Sequence, residues 1–182
     1  MALRNTPDSF GLVTRLLHWT TALLVLVMLS LGLRIADMEP GLANLWLYGL
    51  HKTLGLTVLG LILVRIGWHI ASPVPKPIGR PGWDHVAARA GHIAFYLLLI
   101  GIPLSGWAGS SATGIDVMFA DRWVVPPIAA VSEAGEAFWF RLHDIQTKLL
   151  IGLIIVHGLA ALKRETAGDG TLTRMIRGRT KD

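Results

Sequence analysis

Imidazole nitrogen is a good ligand for transition-metal ions. Four of the seven histidines, His18, His51, His143 and His157, stand in or at the edges of long apolar runs. His143 and His157 are 14 positions apart in one such run. On an α-helix, 14 steps fall about 40° short of four full turns, so the two rings share a face, roughly 21 Å apart along the axis. That spacing is most of the hydrocarbon thickness of a bilayer, which puts one ring near each surface. His18 and His51 lie near opposite ends of their own runs and supply partners at matching depths, His18 with His157 and His51 with His143. A single histidine in such a run serves more often as a hydrogen-bonding group or proton relay. Four at paired depths, two of them co-facial, point instead to ligation. Two neutral imidazoles from facing helices fill both axial positions of a haem iron, an arrangement suited to passing electrons rather than binding a gas.

The elements that must position these residues are membrane spans. The chain has 182 residues, of which 52% are hydrophobic and 16% charged, and a mean hydropathy of +0.53. A soluble domain carries about a quarter charged residues. With no cysteine, disulfides, thiolate metal sites and covalent haem attachment are excluded. The net charge of +5 reads as basic ends flanking spans, not as a nucleic-acid footprint. Leu16 to Leu33 is free of formal charge and is followed by Arg34, Asp37 and Glu39 rather than a cleavage site, so it is a retained span. The second run contains His51, Lys52, Arg65 and His69, with its cations near the two ends. The third carries Pro103, and the fourth has a clean apolar stretch from Leu149. The predicted fold class is all-α, an integral membrane four-helix bundle in a single domain over 1–182, with helices at about 12–35, 45–70, 90–112 and 138–163. The proline-rich segment from Ser72 to Gly82 is a loop. The segment from Thr113 to Ala137 reads as a long loop with room for a short surface helix. A polar basic tail follows the last span.

Loop charges alternate in sign. The N-terminal segment (Arg4 and Arg15 against Asp8), the proline-rich loop (Lys76, Arg80 and Arg89 against Asp84) and the tail (Lys163, Arg164, Arg174, Arg177, Arg179 and Lys181 against Glu165, Asp169 and Asp182) are positive. The loops holding Asp37 with Glu39, and Asp116, Asp121, Glu133 and Glu136, are negative. Both termini and the proline-rich loop are therefore expected on the cytoplasmic side.

Other residues have two readings each. Arg15, Lys52, Arg141 and Lys148 lie within about a turn of the histidines and would pair with haem propionates or snorkel to the interface. Gly55, Gly152 and Gly158 give room for a flat porphyrin or for close helix packing. His92 either competes with His18 for ligation or lies near a cytoplasmic-side substrate pocket; His69 and His85 are expected to be solvated at a membrane edge. Trp19, Trp46, Trp68, Trp107 and Trp139 suit interfacial anchoring.

Several motifs together resemble the bacterial (prokaryotic) cytochrome b561 family over about residues 10–178. They are Arg15-Leu-Leu-His18-Trp19, His51-Lys-Thr-Leu-Gly55 running on to Arg65, and Gly91-His92 through Pro103-Leu-Ser-Gly106. Leu142-His143 to His157 with Ala160-Ala161-Leu162, and Asp169-Gly-Thr-Leu-Thr-Arg-Met175, complete the set. The resemblance implies two haems b ligated by His18, His51, His143 and His157, a place in the bacterial inner membrane, and electron exchange with ubiquinone. Some relatives oxidise superoxide. Members often carry a histidine pair after the Ala-Ala-Leu stretch, where this chain reads Lys163-Arg164-Glu165. The expected function is transfer of electrons across the bilayer to or from ubiquinone, with superoxide or a redox protein as donor. A membrane anchor subunit of a larger dehydrogenase or hydrogenase is the alternative, and a haem-free transporter or proton channel using membrane histidines is a third.

Overall fold

A computed structural model describes residues 2–79 and 82–179. Arg80 and Pro81 of the proline-rich loop, and Lys181 and Asp182 of the tail, lie outside the described residues. Four long helices dominate: α1 (Leu12–Ala36), α2 (Leu45–Ala71), α3 (Trp83–Ala112) and α4 (Glu133–Thr166). Each is long and apolar enough to cross a bilayer, as the charge-free runs require. A two-stranded hairpin, β1 (Val117–Phe119) and β2 (Trp123–Val125), joins α3 to α4, and a short helix α5 (Thr171–Arg177) closes the chain. The solvent preference is inverted relative to a soluble protein. Leu23, Leu63, Leu97, Leu149 and Val156 are exposed, while Thr14, Thr21, Ser105, Ser110 and Ser111 are buried. Only 6% of the most apolar stretch of α4 is buried, so its hydrophobic side chains have lipid as their solvent.

The structure departs from the expected boundaries where polar sequence turns out to be helical. α3 begins at Trp83 rather than near 90, with Asp84 in its first turn. α4 begins at Glu133 rather than near 138, and Glu133-x-x-Glu136 is its first turn, not a separate surface helix. Acidic residues are favoured at that end by the helix dipole, and the Ser132 hydroxyl accepts from the Gly135 amide (3.2 Å), as an N-cap does. The β-branched and aromatic triplets around the turn pair as a hairpin in the register Val117↔Val125 to Phe119↔Trp123. Ala120 and Asp121 take positive φ (53° and 50°) at its tip.

By contacts the chain divides into two units, each drawing on all four long helices. Unit 1 contains residues 1–21, 61–96 and 150–182. It gathers the N-terminal segment, the proline-rich loop and the tail, the three segments whose positive charge assigned them to one membrane face. Asn5 ties the first two together, donating from its side-chain amide to the carbonyls of Ser72 (3.2 Å) and Pro73 (3.1 Å). The Trp68 indole donates to Thr14 Oγ1 (2.8 Å). α5 docks through backbone carbonyls, with Arg15 donating to Ile176 (2.6 Å) and Trp19 to Met175 (3.2 Å). Arg164 donates to Asp84 (2.9 Å), Asp169 (2.6 Å) and the Ile78 carbonyl (2.9 Å), joining α4, α3, the proline-rich loop and the turn before α5.

Unit 2 contains residues 22–60 and 97–149. Here α3 is lined with small residues that admit the larger side chains of α4. A Cβ at Gly101 would meet Gln146 Nε2 at 2.7 Å, and one at Gly109 would meet the Phe140 ring at 2.9 Å. The hairpin is anchored within the same unit. Ala120 N donates to Thr53 Oγ1 (3.0 Å), the Trp107 indole to the Pro126 carbonyl (3.1 Å) and Ile128 N to Ser111 Oγ (3.2 Å).

Candidate functional site

In each unit histidines of different helices face one another. In unit 1, His18 of α1 and His157 of α4 have ring centres 6.4 Å apart. In unit 2, His51 of α2 and His143 of α4 have ring centres 6.2 Å apart. These are the two pairs expected from depth alone. An imidazole nitrogen binds a first-row metal at about 2.0–2.1 Å, which places the ring centre about 3.1 Å from the metal and two trans ring centres about 6.3 Å apart. Both spacings therefore suit one metal held between two imidazoles. Among the described residues no three His, Cys, Asp or Glu side chains group as a site for a bare ion. A two-imidazole donor set fits a metal whose remaining positions a macrocycle fills.

The unit 2 pair is closely framed. His143 Nδ1 lies 2.8 Å from the Ile102 carbonyl, which can only accept, so Nδ1 carries the proton and Nε2 is left with its lone pair. Ser105 Oγ stands 3.4 Å from the same nitrogen and 2.8 Å from Gln146 Oε1. Gly106, one turn after Ile102, makes room for the ring, because a Cβ there would lie 3.0 Å from His143 Cε1 and Nδ1. Gly32 of α1 does the same for His51, at 3.2 Å from Cε1. His51 Nδ1 is buried without a protein hydrogen-bond partner among the described residues.

The unit 1 pair has other company. Arg65 Nη2 lies 3.1 Å from His18 Nδ1, and its guanidinium stands 5.7 Å from the centre of the Tyr96 ring. His157 packs against Phe95 (5.1 Å between ring centres) and also faces His92 at 6.0 Å. By distance His92 rivals His18, which is the less exposed of the two. His69 donates from Nδ1 to the Arg65 carbonyl (2.9 Å) and faces Tyr96. His85, expected to be solvated, is only 18% exposed and bonds through Nε2 to the Ile78 carbonyl (3.0 Å), because α3 extends past the apolar run that seemed to end it.

The cations singled out beside the histidines divide. Arg15 is buried and bound to α5. Lys52 is half-buried beside His51. Lys148 and Arg141 share Asp144, at 2.8 and 3.6 Å, and are exposed. Asp144 was not weighed from the sequence, although its i−3 and i+4 spacing from the two cations was there to be read. Gly55 has Met28 Cε at 3.6 Å, an ordinary contact, whereas nothing lies within 4 Å of a Cβ at Gly152 or Gly158, so neither of those serves close helix packing. Arg164 and Glu165 hold the α5 region, Arg164 by donating to Asp169 (2.6 Å) and Glu165 by accepting from the Thr173 amide (2.9 Å). Sequence reasoning missed Ile102, Ser105, Gly106 and Gly32 as the frame of the unit 2 pair. The Pro103-Leu-Ser-Gly106 motif was the available signal for two of them, Ser105 and Gly106.

The family model described as prokaryotic cytochrome b561 matches residues 9–178. The chain is 33% identical to "Cytochrome b561 homolog 2" of Escherichia coli (strain K12) over 183 residues, covering 97% of this chain and 95% of that protein. It is 29% identical to "Probable superoxide oxidase CybB" of Yersinia pestis over 169 residues, covering 88% and 91%.

Proposed function

The chain belongs to the prokaryotic cytochrome b561 family, and on that premise we propose that it carries two haems b and links a small one-electron donor to ubiquinone. It is a multi-pass bacterial membrane protein of electron transfer, and b-type haem is the cofactor of its family. The observation that carries the two-haem reading is the pair of ring spacings, 6.4 Å for His18 with His157 and 6.2 Å for His51 with His143. Bound haem supplies a one-electron couple; the protein supplies binding, orientation and polarity. His18 with His157 and His51 with His143 would hold the two groups, and a haem held by two imidazoles would suit one-electron transfer.

Superoxide is the donor we favour. The Yersinia relative's name points to it, and the cationic Lys52, Arg141 and Lys148 near the His51–His143 pair would raise the local concentration of a small anion. The overall reaction balances. Two superoxide anions each give up one electron and become dioxygen, and ubiquinone takes two electrons and two protons to become ubiquinol. Loop charges assign both termini to the cytoplasm, which puts the His51–His143 pair on the periplasmic side and the His18–His157 pair on the quinone side. The test uses purified holoprotein under anaerobic conditions. Superoxide should reduce the haems, read from their absorbance spectrum, and a soluble ubiquinone should then reoxidise them. Haems that stay oxidised with superoxide remove the donor assignment; reduced haems that quinone fails to reoxidise remove the acceptor.

A further inference from the structure

The β1–β2 hairpin of unit 2 does not stand beyond the helix ends. Its tip and its base are both tied to points inside the spans. At the tip, Ala120 N donates to Thr53 Oγ1 (3.0 Å), and the Asp121 carboxylate packs on Gly49, where a Cβ would lie 2.8 Å from Oδ1. Thr53 is eight residues past Leu45, the first residue of α2, or about 12 Å along the axis. At the base, the Trp107 indole donates to the Pro126 carbonyl (3.1 Å), five residues or about 7.5 Å before α3 ends at Ala112. From there the chain climbs to the end of α3, with Ile128 N donating to Ser111 Oγ (3.2 Å) and Ser132 N to the Ala112 carbonyl (3.0 Å). The hairpin therefore lies along the sides of α2 and α3, at the level of the His51–His143 pair. Thr53 follows His51 by two residues, and Trp107 follows Gly106, which packs on the His143 ring.

That level is a membrane boundary. Lys52 is the last charge of α2 before the charge-free run Thr53 to Val64, so the hairpin tip sits where headgroups give way to acyl chains. The outward side chains suit that position. Val117 is buried within the unit, whereas Trp123, Val124 and Ile128 are exposed. The Arg122 guanidinium stands 5.2 Å from the centre of the Trp123 ring, a cation beside an indole, both of which favour the headgroup level. The free edges of a two-stranded sheet carry backbone groups that need water or headgroups as partners, which keeps the hairpin out of the hydrocarbon interior.

We propose that this hairpin is a lipid-binding surface. It lies in the headgroup–acyl boundary of the leaflet nearer the His51–His143 pair, with Trp123, Val124 and Ile128 against the upper acyl carbons and Arg122 at the headgroups. The α3–α4 connection is thereby anchored in the membrane, and its apolar face is not offered to a soluble partner.

The chain has no cysteine, so a single introduced one takes a nitroxide label without competition. Holoprotein carrying Val124→Cys is labelled and reconstituted into vesicles of phosphatidylcholine and phosphatidylglycerol. Collision of the label is then measured with oxygen, which concentrates among acyl chains, and with a water-soluble nickel chelate. Glu39→Cys, in the exposed polar loop before α2, gives the water reference, and Ile155→Cys, exposed in the apolar part of α4, gives the acyl reference. The oxygen-to-nickel ratio at position 124 should be several-fold above that at position 39 and below that at position 155. A ratio equal to that at position 39 would put the hairpin in water and overturn the proposal. A ratio equal to that at position 155 would put it in the hydrocarbon interior and overturn the boundary assignment. Low collision with both reagents would mean that protein, a second copy of this chain or another partner, covers the face, and would overturn it too. Should Val124→Cys fail to accumulate, the same comparison at Trp123→Cys or Ile128→Cys decides it.

Discussion

Replacing Gly106 with alanine tests the framing of the unit 2 pair. The added Cβ would stand 3.0 Å from His143 Cε1 and Nδ1, whereas ordinary contact begins at 3.4 Å, so the ring must yield by about 0.4 Å. It has little freedom to do so, because its Nδ1 is held at 2.8 Å by Ile102, one turn earlier on the same helix. Metal–ligand distances tolerate about ±0.2 Å, so the forced displacement is roughly twice what ligation accepts. Disturbing a ligand's immediate support weakens metal binding about 10- to 100-fold, or about 1.4–2.7 kcal/mol. Gly106→Ala should therefore lose or weakly hold one haem of two, the same haem that His51→Ala loses. Haem per protein, with haem titration of the depleted protein, measures this. Gly67→Ala is the control: nothing lies within 4 Å of a Cβ there, and it should keep both haems. Full haem content and unchanged affinity in Gly106→Ala would refute the argument that this glycine makes room for a ligand.

Three other outcomes are expected. His92→Ala should retain both haems while His18→Ala loses one; the opposite result would make His92, 6.0 Å from His157, the true partner. Burial pushes the Asp169 carboxyl up, but hydrogen bonds from Thr171 and Arg164 outweigh it and hold it below the ordinary carboxylate range. A depressed folded pKa adds stability that is present above the unfolded value of about 3.9 and lost as pH falls through the folded one. Asp169→Asn should therefore lower Tm at pH 7 by about 2–4 °C, for about 1 kcal/mol, and the gap should begin to narrow as pH falls below about 4 and close only below the lowered folded pKa; a gap that does not narrow as pH falls would count against it. Reporter fusions at residue 40 and at the C-terminus should report periplasm and cytoplasm respectively, and periplasmic activity at the C-terminus would exchange the sides of the two histidine pairs.

The sequence by itself determined what depends on local period and on solvent. Four spans were legible because a bilayer demands about 20 apolar residues per crossing. His143 and His157 were co-facial by helix geometry alone, and depth paired them with His51 and His18. Hydropathy, however, reports the solvent around a segment and not its backbone. The polar first turns of α3 and α4, the hairpin and α5 were therefore invisible to it, although Ser132 and Glu133 were readable as a helix start. The tertiary structure decided what meets each ring. Ile102 is 41 residues from His143, Arg65 is 47 from His18, and Ile176 is 161 from Arg15. No periodicity encodes such contacts, since they exist only once separate helices pack at one depth and one rotation. Whether a histidine's outer nitrogen meets a carbonyl or a guanidinium is fixed by that packing, which is why the sequence identified the ligand candidates but not the groups that frame them.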